Sequence, residues 1–299
     1  MDLETLIQNI ENQKFVLVLG PDLAFNFEKS MLKEMSNFLK EKRVNHEFHD
    51  EEELFSSSTK FKPFVFQHLP KFFDTLQVTE IYKQIAEIPF HLVINLSPDL
   101  MLQQAFETAQ FDYSGSTYIK EMAAQDVEKP TKDKPLIYNL LGNNKQNSSL
   151  VLCFNHLFEY LSSILGKFEL PFNLRSELDE ALNIFFLGFK YDKWYFKLIM
   201  RLLNKDDNVL RQASNKEIEN SSEILNFYTS EFGFFFEEEL SGTEIIGKIH
   251  AHFKSANALR KPMEATIAKD QSTGGNIINV YGSNNTLLQD IQGNINMQK

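Results

Sequence analysis

An α/β fold with a doubly wound, mostly parallel sheet is predicted by three short apolar runs and by the helical pattern after each of them. The runs contain four or five consecutive apolar residues without alternation, as in strands that are buried on both faces. Each run ends in a small or polar residue before the helical pattern begins, and this alternation is typical of Rossmann-like folds. The predicted strands are Phe15–Gly20, His91–Asn95 and Ile184–Gly188, and the predicted helices are Ala24–Lys40, Pro98–Ala109 and Lys193–Asn204.

Weaker patterns complete the predicted domain, which extends over residues 1–258. Ser97 and Pro98 are expected to cap and begin the second helix, because serine and proline favour those positions. A helical insertion is expected at about 62–90, and a last strand and helix are expected at Phe232–Phe236 and Thr243–Phe253. Further strands are expected at Leu136–Tyr138 and Leu150–Cys153, a helix at Asn155–Leu165, and loops at Glu41–Lys62, Gly115–Lys134 and Asn204–Asn220.

Composition and charge exclude several classes of protein. The net charge of −11 makes nucleic acid an unexpected partner, because an acidic chain has no bulk attraction to a phosphate backbone. No apolar run reaches the roughly 18 residues of a membrane span, and the acidic start does not resemble a signal peptide. The single cysteine, Cys153, cannot form an internal disulfide, and no His/Cys cluster has the spacing of a metal site. A cytoplasmic protein without a metal is expected.

The last 41 residues differ in composition from the domain. A linker is predicted at 259–273, and residues 274–299 repeat Gly-Asn between β-branched and other apolar residues. This pattern predicts short β-segments with Asn/Gly turns, which are too few to bury a core alone. The segment is expected to pair with another copy of the chain or with a partner, to dock on its own domain, or to be disordered.

Three strand ends are candidate ligand-binding places, because ligands of open parallel sheets bind beyond the carboxyl ends of the strands. They are Gly20-Pro21-Asp22, Asn95 to Asp99, and Gly188 to Asp192. None has the full Gly-x-Gly-x-x-Gly pattern, and Pro21 lacks an amide that a phosphate cradle would use. Ordinary turn chemistry is the alternative at each of them.

Five segments of the chain form an ordered series. They read FVLVLGPDLAF, HLVINLSPDLMLQQAF, PLIYNLLGNN, SSLVLCFNHLFEYLSSIL and IFFLGFKYDKWYFKLIMRLL. Taken in order, these segments resemble the sirtuin-like domains of bacterial antiphage and conflict systems. The resemblance covers roughly residues 10–255, and the segment from Ile184 to Leu203 is its most specific part.

The resemblance implies that the chain binds NAD or a related nucleotide, without implying that it is active. The family needs an asparagine and a histidine for NAD hydrolysis, but the matching positions hold Ser97 and either Asn139 or Leu141. Neither Asn139 nor Leu141 accepts a proton near neutral pH, so no catalytic residue is predicted. The four-cysteine zinc site of deacylating sirtuins is also absent from the sequence. The expected cofactor contacts are Gly20, Asp22, Asn95, Ser97, Asp99, Asn139, Gly142, Gly188 and Asp192.

Three functions are therefore compatible with the sequence. The first is a non-catalytic nucleotide sensor or adaptor in bacterial defence, which assembles with itself or with an effector through residues 274–299. The second is an active NADase rearranged around Asn95, Ser97 and Asp99. The third is a structural interaction subunit that binds no small molecule.

Overall fold

The protein is built around a seven-stranded, all-parallel sheet. The computed structural model describes residues 2–25, 29–58, 60, 62–120, 122, 125–166, 169–203, 209–216 and 221–263. The strands of the sheet are β1 (Phe15–Leu19), β4 (Leu92–Asn95), β5 (Ser114–Thr117), β6 (Leu136–Asn139), β7 (Asn183–Leu187), β8 (Leu210–Ser214) and β9 (Phe234–Glu237). Their order across the sheet is β5-β6-β4-β1-β7-β8-β9. A separate antiparallel ribbon pairs β2 (Phe48–His49) with β3 (Leu54–Phe55).

The three strands predicted from apolar runs are neighbours at the centre of this sheet. β1 lies between β4 and β7 and is parallel to both, with Leu19 opposite Asn95 on one side and Leu187 on the other. All residues of β1, β4 and β7 are buried. Their apolar runs lack alternation because both faces of a central strand are covered.

Helices cover both faces of the sheet and produce two hydrophobic cores, which confirms the doubly wound fold. Leu17 of β1 belongs to one core, whereas its neighbours Val16 and Val18 belong to the other. The first core contains residues of α1 (Leu3–Glu11), α2 (Met31–Glu41), α3 (Lys62–Phe73), α4 (Glu80–Glu87), α5 (Met101–Thr108) and α10 (Gly242–Ser255). The second contains residues of α6 (Phe154–Leu165), α7 (Phe172–Asp179), α8 (Trp194–Leu203) and α9 (Ser222–Phe232).

The helical insertion predicted at 62–90 corresponds to α3 and α4. Leu69 of α3 and Ile85 of α4 are buried in the same core as Leu17. The insertion therefore packs as part of the layer on that face of the sheet.

The strand predicted at Leu150–Cys153 is wrong. A 3₁₀ turn at Asn147–Ser149 is followed by coil, in which Cys153 forms an isolated parallel bridge with Phe55. β6 is already paired with β4 and β5, so both of its edges are occupied. Leu150 and Leu152 are nevertheless buried, which explains the apolar pattern.

Two predicted helix starts are also wrong. The helix after β4 begins at Met101 instead of Pro98, and its N-cap residue is Leu100. Ser97 does not cap it, because the Ser97 hydroxyl donates to Asp99, whose carboxylate accepts the Met101 N–H at 2.9 Å. The helix predicted at Ala24–Lys40 is divided into a 3₁₀ turn at Pro21–Phe25 and α2, which Ser30 caps.

Three of the predicted loops contain strands: β5, β8 and the ribbon lie in segments whose polar sequences led to the loop predictions. β5 is an edge strand with the sequence SGST and offers no apolar signal. In β8, buried Gln212 is compensated by a hydrogen bond of 3.0 Å from the Asn183 amide. The ribbon β2–β3 lies within the predicted loop Glu41–Lys62 and has only two residues in each strand.

The predicted linker and tail lie largely outside the described residues, which end at residue 263. The last described segment is anchored at Arg260, whose guanidinium donates to the carbonyls of Ala86 and Phe90, each at 3.0 Å. Within the described residues, no helix combines the length and apolar character needed to cross a membrane.

Candidate functional site

A cleft opens beyond the carboxyl ends of four central strands. The helix that follows β1 packs on one face of the sheet and the helix that follows β7 packs on the other, so the chain diverges between these strands. In doubly wound folds, such a switch point is where ligands bind. The cleft contains about 740 Å³ of empty space, a volume that includes the open solvent at its mouth.

The walls of the cleft are mostly apolar, and its charged groups are few. Lining residues come from the loops after β1, β4, β6 and β7, from α2, α6 and α8, and from the ribbon. They are Pro21, Asp22, Leu32, Glu53, Leu54, Leu96, Pro98, Leu141, Val151, Leu157, Phe189, Lys190, Lys193, Tyr195 and Phe196.

Gly20 and Gly188 bring the ends of β1 and β7 into contact at the base of the cleft. A Cβ atom on Gly20 would lie 2.1 Å from the carbonyl oxygen of Gly188, far inside van der Waals contact. Gly188 itself has a φ of +87°, a conformation that favours glycine. Both predicted glycines therefore serve the close approach of the two strand ends.

The loop after β1 does not offer its backbone amides to a ligand. The N–H groups of Gly20 and Asp22 donate to the carbonyls of Leu187 and Gly188 at 2.7 and 3.2 Å. Pro21 has no N–H, and the Leu23 N–H points to the Gly20 carbonyl at 3.4 Å. An anion in the cleft would consequently depend on side chains rather than on this loop.

Four charged side chains meet at one end of the cleft. Lys190 Nζ lies 3.0 Å from Glu53 Oε1, and Lys193 Nζ donates to the Glu51 carbonyl at 2.7 Å. Asp22 lies beside them and is almost completely buried. Both lysines thus contact the ribbon that borders the cleft.

Burial raises the pKa of Asp22 to about 7. The charge of Glu53 raises it further, whereas Lys190 and Lys193 and the Met31 N–H lower it. The pKa of Lys190 is raised: burial lowers it, but the hydrogen bond to Glu53 and the charges of Asp22, Glu53 and Asp192 outweigh burial. Asp22 can therefore gain or lose a proton near neutral pH.

Four of the predicted ligand contacts form a buried polar network and do not line the cleft. The Asn95 amide donates to the Asn139 side chain and to the Asp99 carbonyl, both at 3.1 Å, and accepts the Ser97 N–H at 3.0 Å. Asn139 also accepts from Gln103 at 3.1 Å. Burial raises the pKa of Asp99, although the bonds from Ser97 and Met101 oppose this. These side chains hold the loops after β4 and β6 together, and their contact with a ligand stays a prediction.

The two remaining predicted residues do not line the cleft. Gly142 has a φ of +83°, and a Cβ atom there would lie 2.0 Å from the Ser149 carbonyl oxygen, so it serves the turn after β6. The Asp192 side chain is half exposed and lies 3.6 Å from Lys193 Nζ, outside the cleft lining.

The positions that the resemblance aligns with the catalytic asparagine and histidine have different surroundings. Ser97 is buried in the polar network with Asn139, whereas Leu141 presents an apolar side chain to the cleft. Glu53 and Lys193 were not predicted as site residues, and Lys190 was predicted only as part of the third strand end, Gly188 to Asp192. Lys193 directly follows that segment, so the rule that ligands bind at strand ends could have included it. Glu53 lies in a segment without a strand signal.

Neither metal-binding geometry nor similarity to known proteins adds an assignment. In the described part of the chain, no group of three or more His, Cys, Asp or Glu side chains is arranged to hold a metal ion. No protein-family model matches the chain, and no curated protein matches it either.

Proposed function

We propose that the cleft binds a nucleotide, NAD or a related molecule, and that the protein acts as a non-catalytic sensor or adaptor in bacterial defence. The observation that carries the nucleotide proposal is the cleft itself: an apolar pocket at the switch point of a doubly wound sheet with two lysines at one end. Apolar walls suit a base, and lysines suit phosphates. The defence role rests on the sequence resemblance alone.

The absence of catalysis is proposed from the residues that line the cleft. The resemblance expects a histidine at either Asn139 or Leu141, of which Leu141 lines the cleft, and neither side chain accepts a proton near neutral pH. Ser97 is engaged with Asp99. A bound nucleotide would therefore be retained as a signal and not consumed.

Filling the cleft should abolish binding. Leu141→Trp places a bulky ring in the pocket and is expected to weaken NAD binding at least about tenfold, because it competes for the same volume. Isothermal titration with NAD measures the effect, and mass spectrometry of molecules released from purified protein identifies the natural ligand.

Leu182→Trp is the matched control, because Leu182 is half exposed and immediately precedes β7. It therefore lies at the amino end of that strand, whereas the cleft lies beyond the carboxyl ends. It should leave NAD affinity within about twofold of the wild type. Equal affinities of the two variants, or no NAD binding by the wild type, would contradict the proposal.

An active NAD hydrolase is a second candidate, and Asp22 is the observation that favours it. A buried carboxyl with a pKa of about 7 in a cleft is a candidate acid or base. Nicotinamide release by the pure protein at rates near one per second, lost in Asp22→Asn, would favour this candidate over the sensor.

Assembly through the C-terminal segment is proposed from the sequence. Deleting residues 270–299 should lower the oligomer mass or lose an effector in a pull-down, because β-edge pairing would be removed. The melting temperature should be nearly unchanged, since so few apolar residues add little to a core. Light scattering and thermal unfolding of the truncated and full chains test both statements; a large fall in melting temperature, or unchanged assembly, would contradict them.

A further inference from the structure

The tip of the ribbon is acidic and rests on the lysines of the cleft. The turn Asp50–Glu53 carries four consecutive acidic residues. Glu53 pairs with Lys190 at 3.0 Å, the Glu51 carbonyl accepts from Lys193 at 2.7 Å, and Asp50 lies 3.4 Å from Lys33. We call residues 50–53 the acidic turn. Charge pairs hold it at the mouth of the cleft.

Glu53 is the last residue of the acidic turn and directly precedes β3. Its φ is +53°, in the left-handed region that residues other than glycine rarely adopt. Its side chain is only 14% exposed, and Lys190 is the cation it contacts. The next residues, Leu54 and Phe55, are buried and anchor the ribbon. The fold thus places a carboxylate at the charged end of the cleft.

Two lysine side chains supply positive charge at this end of the cleft. The amides of Gly20, Asp22 and Leu23 are used within the protein, and Lys190 and Lys193 are the cationic residues among those that line the cleft. A phosphate group carries more charge than a carboxylate and offers three acceptor oxygens. It would compete with Glu53 for the same ammonium group.

We propose that Lys190 and Lys193 form the subsite for a phosphate or pyrophosphate group of the cleft's ligand, and that Glu53 competes with this group for Lys190. The inference rests on the proposed function and adds the group recognised and the residue that limits affinity. The phosphate group of the ligand displaces the Glu53 carboxylate and binds the ammonium groups of both lysines. The acidic turn is then released from Lys190, while Leu54 and Phe55 keep the base of the ribbon in place.

Titration of the full chain with three probes tests the subsite. The probes are inorganic pyrophosphate, NAD and adenosine, and the variants are Glu53→Gln and Lys190→Met. Glu53→Gln should bind pyrophosphate and NAD about tenfold more tightly than the wild type, which corresponds to removing a competitor worth about 1.4 kcal/mol. Adenosine has no phosphate, so its affinity should not change. Lys190→Met should lose pyrophosphate binding.

Glu52→Gln is the matched control, because it removes the same charge from the same turn at a residue that is exposed and does not line the cleft. Its pyrophosphate affinity should stay within about twofold of the wild type. Far-UV circular dichroism confirms that every variant is folded.

The outcomes separate this inference from the proposed function. Equal pyrophosphate affinity in the wild type and Glu53→Gln overturns the competition. No pyrophosphate binding by either protein, or unchanged binding by Lys190→Met, overturns the subsite even if NAD binds in the cleft. Tighter pyrophosphate binding by Glu53→Gln without NAD binding by any variant supports the subsite and overturns the NAD proposal. Equal gains for Glu53→Gln and Glu52→Gln would show a general charge effect and overturn the competition.

Discussion

Gly20→Ala is expected to lower the free energy of unfolding by about 3 kcal/mol, because the added methyl group has no room. Its Cβ atom would lie 2.1 Å from the carbonyl oxygen of Gly188 and 2.6 Å from the carbonyl carbon. Both are backbone atoms of the neighbouring strand end, so no side-chain rotation relieves the overlap. The ends of β1 and β7 would have to separate, and the Gly20 N–H would lose its 2.7 Å bond to Leu187. Urea unfolding measures the change.

Gly247→Ala is the control for this substitution. Gly247 lies within α10, and a Cβ atom there would meet nothing within 4 Å. Because alanine favours a helix over glycine, this variant should gain up to about 1 kcal/mol. A Gly20→Ala protein as stable as the wild type would show that the two strand ends are not in the tight contact described above.

The centre of the sheet could be predicted from the sequence because burial leaves a direct mark there. β1, β4 and β7 are covered on both faces, so their residues read as unbroken apolar runs. The alternation of strands with helices then indicates a parallel sheet covered by helices on both faces, which is a doubly wound fold.

The edges of the sheet could not be predicted in this way. β5 is made of small and hydroxyl residues, and its pairing with β6 is visible only in three dimensions. β8 buries Arg211 and Gln212, whose cost is offset by hydrogen bonds to the Phe232 carbonyl and the Asn183 amide. Such compensation involves partners distant in sequence, so a polar strand resembles a loop.

The candidate site was likewise predictable where it depends on local sequence patterns and unpredictable where it depends on contacts between distant residues. Gly20, Asp22 and Gly188 were predicted by the rule that ligands bind at carboxyl strand ends, and the cleft lies there. Asn95 and Asn139 were expected at that edge as ligand contacts, but amides on adjacent strands can satisfy each other, and these two do. Glu53 reaches the site through a ribbon 137 residues away from Lys190 in the chain, and no local pattern indicates that contact.

Asp22→Asn is expected to stabilise the protein in a pH-dependent manner. Burial raises the pKa of Asp22 to about 7 from an ordinary value of 3.8, so the folded state binds a proton that the unfolded chain has released between these values. Wild-type stability therefore falls as pH rises from about 4 to 7, because folding must either keep the proton or bury the charge. An asparagine side chain does not ionise in this pH range, so its contribution to stability does not depend on pH. Its advantage over the wild type should grow by roughly 2–3 kcal/mol between pH 5 and pH 8.

Asp192→Asn separates this effect from a simple loss of charge. Its side chain is half exposed and lies 3.6 Å from Lys193, at the same end of the molecule. Replacing an exposed carboxylate should change stability by less than about 0.5 kcal/mol at either pH. Urea unfolding of both variants and the wild type at pH 5 and pH 8 makes the comparison. If the advantage of Asp22→Asn were the same at both values, Asp22 would not exchange a proton in this range, and the acid–base role that favours the hydrolase would lose its support.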